Sequence, residues 1–169
     1  YVYVSNTGYR TEGPYAPGTI TVIDRSTEDV LGTVPTDRKN PQFLSWIETD
    51  TGPRLLVVDT GALVYDGSDF RVGPSAVEIW TETPDPLSPA KTIVRLDEVE
   101  DESIGAPGRA AVSEDGSRAY LTSATAPVLF ELDLNTGEWV RGPDNPIVLY
   151  ESDGDALDHA VMGPDGVLY

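Results

Sequence analysis

Cysteine is absent from this 169-residue chain, and there is one histidine, His159, and one methionine. Without thiols there is no disulfide staple, thiolate metal site or cysteine nucleophile. A lone histidine cannot build the multi-nitrogen cage that zinc or copper prefers. Positive charge is scarce too: 11 basic residues face 29 acidic ones, for a formal charge of -18. So acidic a surface repels phosphate backbones and anionic lipid, which argues against nucleic acid and charged membranes as partners. No apolar run reaches the roughly 20 residues of a membrane-spanning helix, and no basic-then-apolar leader opens the chain. The chain therefore reads as soluble, with no membrane insertion. No stretch keeps a helical period, and 14 prolines and 16 glycines are spread throughout. There is no G-x-S-x-G nucleophile elbow, and GAPG (105–108) lacks the Lys and following helix of a phosphate cradle.

Short strand patterns fill the chain instead. YVYV (1–4), TITVI (19–23), RLLVV (54–58), AVEIW (76–80), TIVRL (92–96), RAYLT (118–122), VLFEL (128–132) and IVLY (147–150) are β-branched or aromatic blocks bounded by Gly, Pro, Asn or Asp. The class is all-β. The opening YVYVSN and the closing GPDGVLY both fall inside strand patterns, so the chain reads as a fragment of something longer.

The blocks recur. VSEDGSRAYLTS (112–123) and VMGPDGVLY (161–169) each place Asp-Gly between two apolar strands, and WIETDTGPRLLVVD (46–59) repeats the hairpin with a longer loop. After each comes a pair of strands around a polar turn: ITVIDRSTEDVLGTV, VEIWTETPDPLSPAKTIVRL, LFELDLNTGEWVRG. Aligning Tyr3, Leu56, Tyr120 and Tyr169 gives spacings of 53, 64 and 49 residues. A four-stranded unit at this period is the signature of a β-propeller blade. The expectation is an incomplete ring with blade parts at 1–36, 40–96, 106–150 and 156–169, thirteen strands in all. The rest of the ring would come from the parent chain or another copy.

YVYVSNTG, GTITVIDRSTEDVLGTV and NPQFLSW resemble the YVTN-type β-propeller repeat of bacterial and archaeal exported proteins. The matching residues are Tyr3, Val4, Asn6, Gly18, Ile20, Val22, Ile23, Asp24, Val30, Thr33, Val34 and Pro41. The resemblance implies a parent ring of seven blades and a periplasmic, cell-surface or extracellular location. It implies no catalytic residues. Asp115-Gly116, Asp165-Gly166 and Asn135-Thr136-Gly137 read as turns needing positive φ, and Asn6 and Asp24 as strand ends bonded to backbone amides.

In such a ring the links from the outermost strand to the next innermost one, and from the second strand to the third, emerge on one face. That set holds the insertions 6–18 and 59–75 with the acidic links 97–108 and 151–159, and long links on a rigid scaffold are where binding sits. The reading is a noncatalytic binding or scaffold module with a protein or glycan partner on that face. The alternative is a lactonase-like hydrolase with a divalent cation in the channel. For a cation, Ca2+ above all, Asp153, Asp155 and Asp158 are the ligand candidates, with Glu151, Asp66 and Asp69 nearby in sequence. None matches the full calcium-loop pattern, and the acidic residues divide almost evenly between these links and the rest of the chain. His159 and Arg109 occupy equivalent positions at the entry to an innermost strand and are the channel-mouth candidates. Trp46 and Trp80 fit blade-to-blade packing, and Trp139 a half-exposed position.

Overall fold

The computed structural model describes residues 1–12, 14–49, 51–65, 70–96, 106–149, 157 and 160–169. These form fourteen strands, and among the described residues there is no helix. The first sheet is a meander of β1 (Val2–Asn6), β2 (Thr19–Ile23) and β3 (Val30–Pro35). The second runs β4 (Pro41–Ile47), β5 (Arg54–Asp59), β8 (Ala76–Thr81) and β9 (Ala90–Arg95). A separate hairpin, β6 (Leu63–Tyr65) and β7 (Phe70–Val72), rises from the link between β5 and β8. The third runs β10 (Pro107–Val112), β11 (Arg118–Ser123), β12 (Val128–Asp133) and β13 (Glu138–Arg141), and β14 (Ile147–Val148) also pairs with β12.

Burial explains the two kinds of strand text. In β2 the alternation is visible: Ile20 and Val22 are buried against the second sheet while Thr19, Thr21 and Ile23 are only half-buried. The second sheet is covered on both sides, so β5 is buried from Leu55 to Asp59 and β8 from Ala76 to Trp80. Leu55, Val57 and Trp80 pack against the first sheet, and Leu56, Val58, Val77 and Ile79 meet Leu121, Phe130 and Leu132 of the third. A strand buried on both faces loses its polar alternation because neither face meets water. Each such aliphatic side chain contributes about 1.5–3 kcal/mol of transfer free energy.

The sheets follow one another in chain order, and their backbones come closest at the inner strands, β1 to β4 and β10 to β4 and β5. They fan outward as wedges, so this chain is an incomplete β-propeller. The aligned positions keep one environment: Tyr3 faces the second sheet, Leu56 the third, and Tyr120 the closing hairpin beside Leu168 and Tyr169. That hairpin is thin, one bridge between Met162 and Leu168 flanked by paired bonds between Val161 and Tyr169.

The strand count is fourteen rather than thirteen because three strands are gained and two are lost, the closing hairpin being a single bridge rather than two strands. The 59–75 insertion carries its own hairpin, and β13 and β14 are two halves of one outer strand interrupted at 142–146, where Gly142 N–H donates to Asn145 Oδ1 at 2.8 Å. Trp46 packs between sheets as its pattern predicts, though less deeply than Trp80. It stacks on Tyr3 across the sheets at 6.1 Å, yet 46% of it stays exposed. Trp139 packs edge-on against Phe130 at 5.9 Å and is half-buried.

Gly116, Gly137 and Gly166 take positive φ. Asp24 caps its turn as expected, its Oδ1 accepting Ser26 N–H at 2.7 Å, and Asp133 does the same for Asn135 at 2.8 Å. Asn6 behaves differently: its amide donates to Thr21 Oγ1 at 2.9 Å and to Thr19 Oγ1 at 3.1 Å, so it ties strands together rather than capping backbone N–H groups. In the first of these turns Glu28 stands at φ 63°, where the third sheet has Gly137 at 73°. Both donate their N–H back to the aspartate carbonyl, Glu28 at 2.8 Å and Gly137 at 2.9 Å. A left-handed non-glycine residue costs roughly 1–2 kcal/mol, partly offset by the chain entropy glycine adds to the unfolded state. Glu28→Gly is therefore expected to stabilise the chain by about 0.5–1 kcal/mol, read as a higher urea midpoint at unchanged slope.

Candidate functional site

Three links converge between the first two sheets. The 36–40 link joining β3 to β4 is stitched to its neighbours by backbone bonds: Thr36 N–H to Gly18 O at 3.1 Å, Gly61 N–H to Lys39 O at 3.1 Å and Thr60 N–H to Asn40 O at 3.1 Å. Asn40, 1% exposed and at φ 61°, donates its side-chain amide to Gly61 O at 2.9 Å. Gly61 must be glycine, since at φ 89° an added Cβ would lie 2.4 Å from Gly73 O. Pro17, Thr36, Asp37, Arg38, Lys39, Ala62 and Pro74 line a cavity of about 600 Å3 where the links meet. These belong to the strand-connecting sets that propeller geometry places on one face.

Beneath the 36–40 link lies a pair of carboxyl groups. Val57 is the register partner of Glu78, so Asp59, two residues on, sits diagonally across from Glu78 on the face toward the first sheet. Both are fully buried. Asp37 N–H donates to Glu78 Oε1 at 2.7 Å, and Arg38 N–H to Asp59 Oδ2 at 3.0 Å. The Trp80 indole donates to Glu78 Oε2 at 2.9 Å, and Lys91 Nζ lies 3.2 Å from the same oxygen. Lys91 also stands 4.2 Å over the Trp80 ring and donates to Pro35 O at 2.6 Å.

Burial, then the neighbouring charge of Glu78, pushes the Asp59 carboxyl up to about 8. Asp59 Oδ1 and Thr60 Oγ1 are buried without a hydrogen-bond partner among the described residues. A proton on Asp59 relieves the repulsion and turns an orphaned acceptor into a donor. At neutral pH Asp59 is thus held neutral beside Glu78, whose Oε2 lies 3.2 Å from Lys91 Nζ. Asp37, by contrast, is held below the ordinary carboxylate range by its hydrogen bonds from Arg95, at 2.7 and 2.9 Å, and by the charge of Arg38 at 3.1 Å.

The arrangement supports a wall. Two buried carboxyls hold the backbone of a short link, and that link forms one side of the cavity. Sequence reading passed over this pair. Its signal was Glu78 in the middle of AVEIW, a charge inside an apolar block.

Of the residues singled out from sequence, Asp153, Asp155, Asp158 and His159 lie outside the described residues, as do Glu151, Asp66 and Asp69. Among the described residues no group of three or more His, Asp or Glu is placed to hold a metal ion. Arg109 is exposed on β10, where its N–H donates to Thr122 Oγ1 at 3.1 Å, and it is not among the cavity-lining residues.

No family model matches the chain, and no curated protein matches it. A solved structure from Bacteroides uniformis, a candidate 6-phosphogluconolactonase, is similar over 89% of this chain and 68% of its own at 12% identity, with a TM-score of 0.35. At that level the likeness transfers neither fold nor activity.

Proposed function

We propose that this chain is a noncatalytic binding and scaffold segment of an exported protein, engaging its partner on the face where the 6–18, 36–40 and 60–75 links meet. The observation that carries it is the cavity of about 600 Å3 on that face. This lies within the ~300–1,000 Å3 of pre-formed ligand sites. Pro17, Ala62 and Pro74 give it an apolar lining, and Arg38 and Lys39 add charge. A hydrolase would need carboxylates open to water or a cation, and Asp59 and Glu78 are closed over by two backbone N–H groups, an indole and an ammonium. The export assignment rests on the YVTN-like residues of the first repeat.

The test is chemical-shift mapping with phenylacetate, phenylacetamide and phenethylamine as probes. At least one is expected to shift the amides of Lys39, Asn40, Gly61 and Ala62. Ala62→Trp, which fills the cavity, is expected to abolish those shifts while leaving the spectrum otherwise folded. Shifts that map elsewhere, or that survive in Ala62→Trp, would overturn the assignment.

A further inference from the structure

We infer that the cavity at the 36–40 link selects a small organic acid, with one carboxylate at Lys39 and an apolar body against Pro17, Ala62 and Pro74. The inference rests on the binding reading above and adds the ligand's chemistry. The chain holds only two lysines, Lys39 on this link and Lys91 on β9. Lys91 is committed to Glu78 and to Pro35 O. Lys39 is exposed at the rim, and its ammonium has no ion-pair partner among the described residues. The one carboxylate in the lining, Asp37, is already neutralised by Arg95 and Arg38. Within a chain of net charge -18, this rim therefore presents a local positive excess. At physiological salt charges beyond about 8 Å are screened, so the groups at the rim weigh most in what binds.

Three of the link's backbone N–H groups are already committed, which favours a singly charged anion over phosphate. A phosphate site needs several N–H groups turned toward the ligand. Here the N–H groups of Thr36, Asp37 and Arg38 donate to Gly18 O, Glu78 and Asp59. The Lys39 ammonium, with the Arg38 guanidinium already turned to Asp37, stands beside the apolar lining of Pro17, Ala62 and Pro74, which matches a carboxylate carrying an alkyl or aryl group.

Isothermal titration and shift mapping with phenylacetate, its neutral isostere phenylacetamide and inorganic phosphate give the test. Phenylacetate should bind about five- to tenfold more tightly than phenylacetamide, the preference of one charge-assisted contact at a partly exposed site. The preference should shrink as NaCl is raised. Lys39→Gln should bring the ratio to about one, and Lys39→Arg should keep most of it. Equal binding of the acid and the amide at the cavity, or an unchanged ratio in Lys39→Gln, would overturn the acid preference and leave the binding reading standing. Phosphate binding more tightly than phenylacetate would also overturn it. Failure of every probe to reach the cavity would overturn both.

Discussion

Between pH 6 and pH 8 the folded chain should lose about 2 kcal/mol of stability, and Asp59→Asn should abolish most of that loss. The unfolded Asp59 titrates near the ordinary value, ~3.9, whereas in the fold burial and Glu78 raise it to about 8. A group whose acid form the fold prefers is held protonated across that interval while the unfolded chain has already released the proton. Unfolding then releases protons, so stability falls as pH rises, by about 1.4 kcal/mol per unit until the folded group itself titrates. Above pH 8 the penalty is complete, with Asp59 ionised beside Glu78 under the 36–40 link. Of the other charged groups nearby, Lys91 on β9 reaches Glu78, Asp37 and Arg38 on the link turn their backbone N–H groups to the pair, and Arg95 on β9 pairs with Asp37. Asn keeps the acceptor that Arg38 N–H needs and supplies a fixed donor where the protonated acid had one. Urea titrations of both proteins at pH 6, 7 and 8 give the measurement. Any slope from His159 is common to the two, so their difference isolates Asp59. An equal slope in wild type and Asp59→Asn would mean that the pair does not share a proton.

Much of the architecture was legible because it depends on short-range text. Blocks such as RLLVV and VLFEL are apolar on successive residues, which only a doubly covered strand tolerates, and Asp115-Gly116 and Asp165-Gly166 are turn chemistry with few alternatives. What escaped reading depends on partners distant in sequence. Glu78 is tolerable inside β8 only because Asp37, 41 residues away, and Trp80 and Lys91 supply donors. The 36–40 link is too short to advertise itself beside insertions of a dozen residues or more. Glu28 stands where the repeat elsewhere has glycine, so strain hid the turn. The β6–β7 hairpin had a readable signal, LVY and FRV flanking an Asp-Gly, yet inside an insertion it reads as loop. Trp46 satisfied the strand pattern, but a strand's second face at the end of a wedge can stay wet.

Phe130→Ala should cost about 3–5 kcal/mol, a large fraction of a small domain's stability. Phe130 is fully buried on β12, faces the second sheet among Leu56, Val58, Val77, Ile79 and Leu132, and meets Trp139 edge-on at 5.9 Å. Trp80 is as deeply buried, but truncating it would also strip a donor from Glu78 and the ring from under Lys91, mixing three effects. At Phe130 the loss is packing alone: transfer free energy plus a void that two stiff sheets cannot close. The consequence reaches beyond the midpoint. In stacked repeats, stability is the sum of each unit's own term and the interface terms, and this interface joins the second sheet to the third. Weakening it should let the third sheet unfold separately, seen as a lower apparent urea slope and as loss of the near-ultraviolet signal of Trp139 before that of Trp80. Val148→Ala, at a residue 60% exposed on β14, should change stability by less than about 0.5 kcal/mol. A Phe130→Ala protein that loses under about 1 kcal/mol and still unfolds in one step would mean the second and third sheets are not packed face to face, and the wedge arrangement would fall with them.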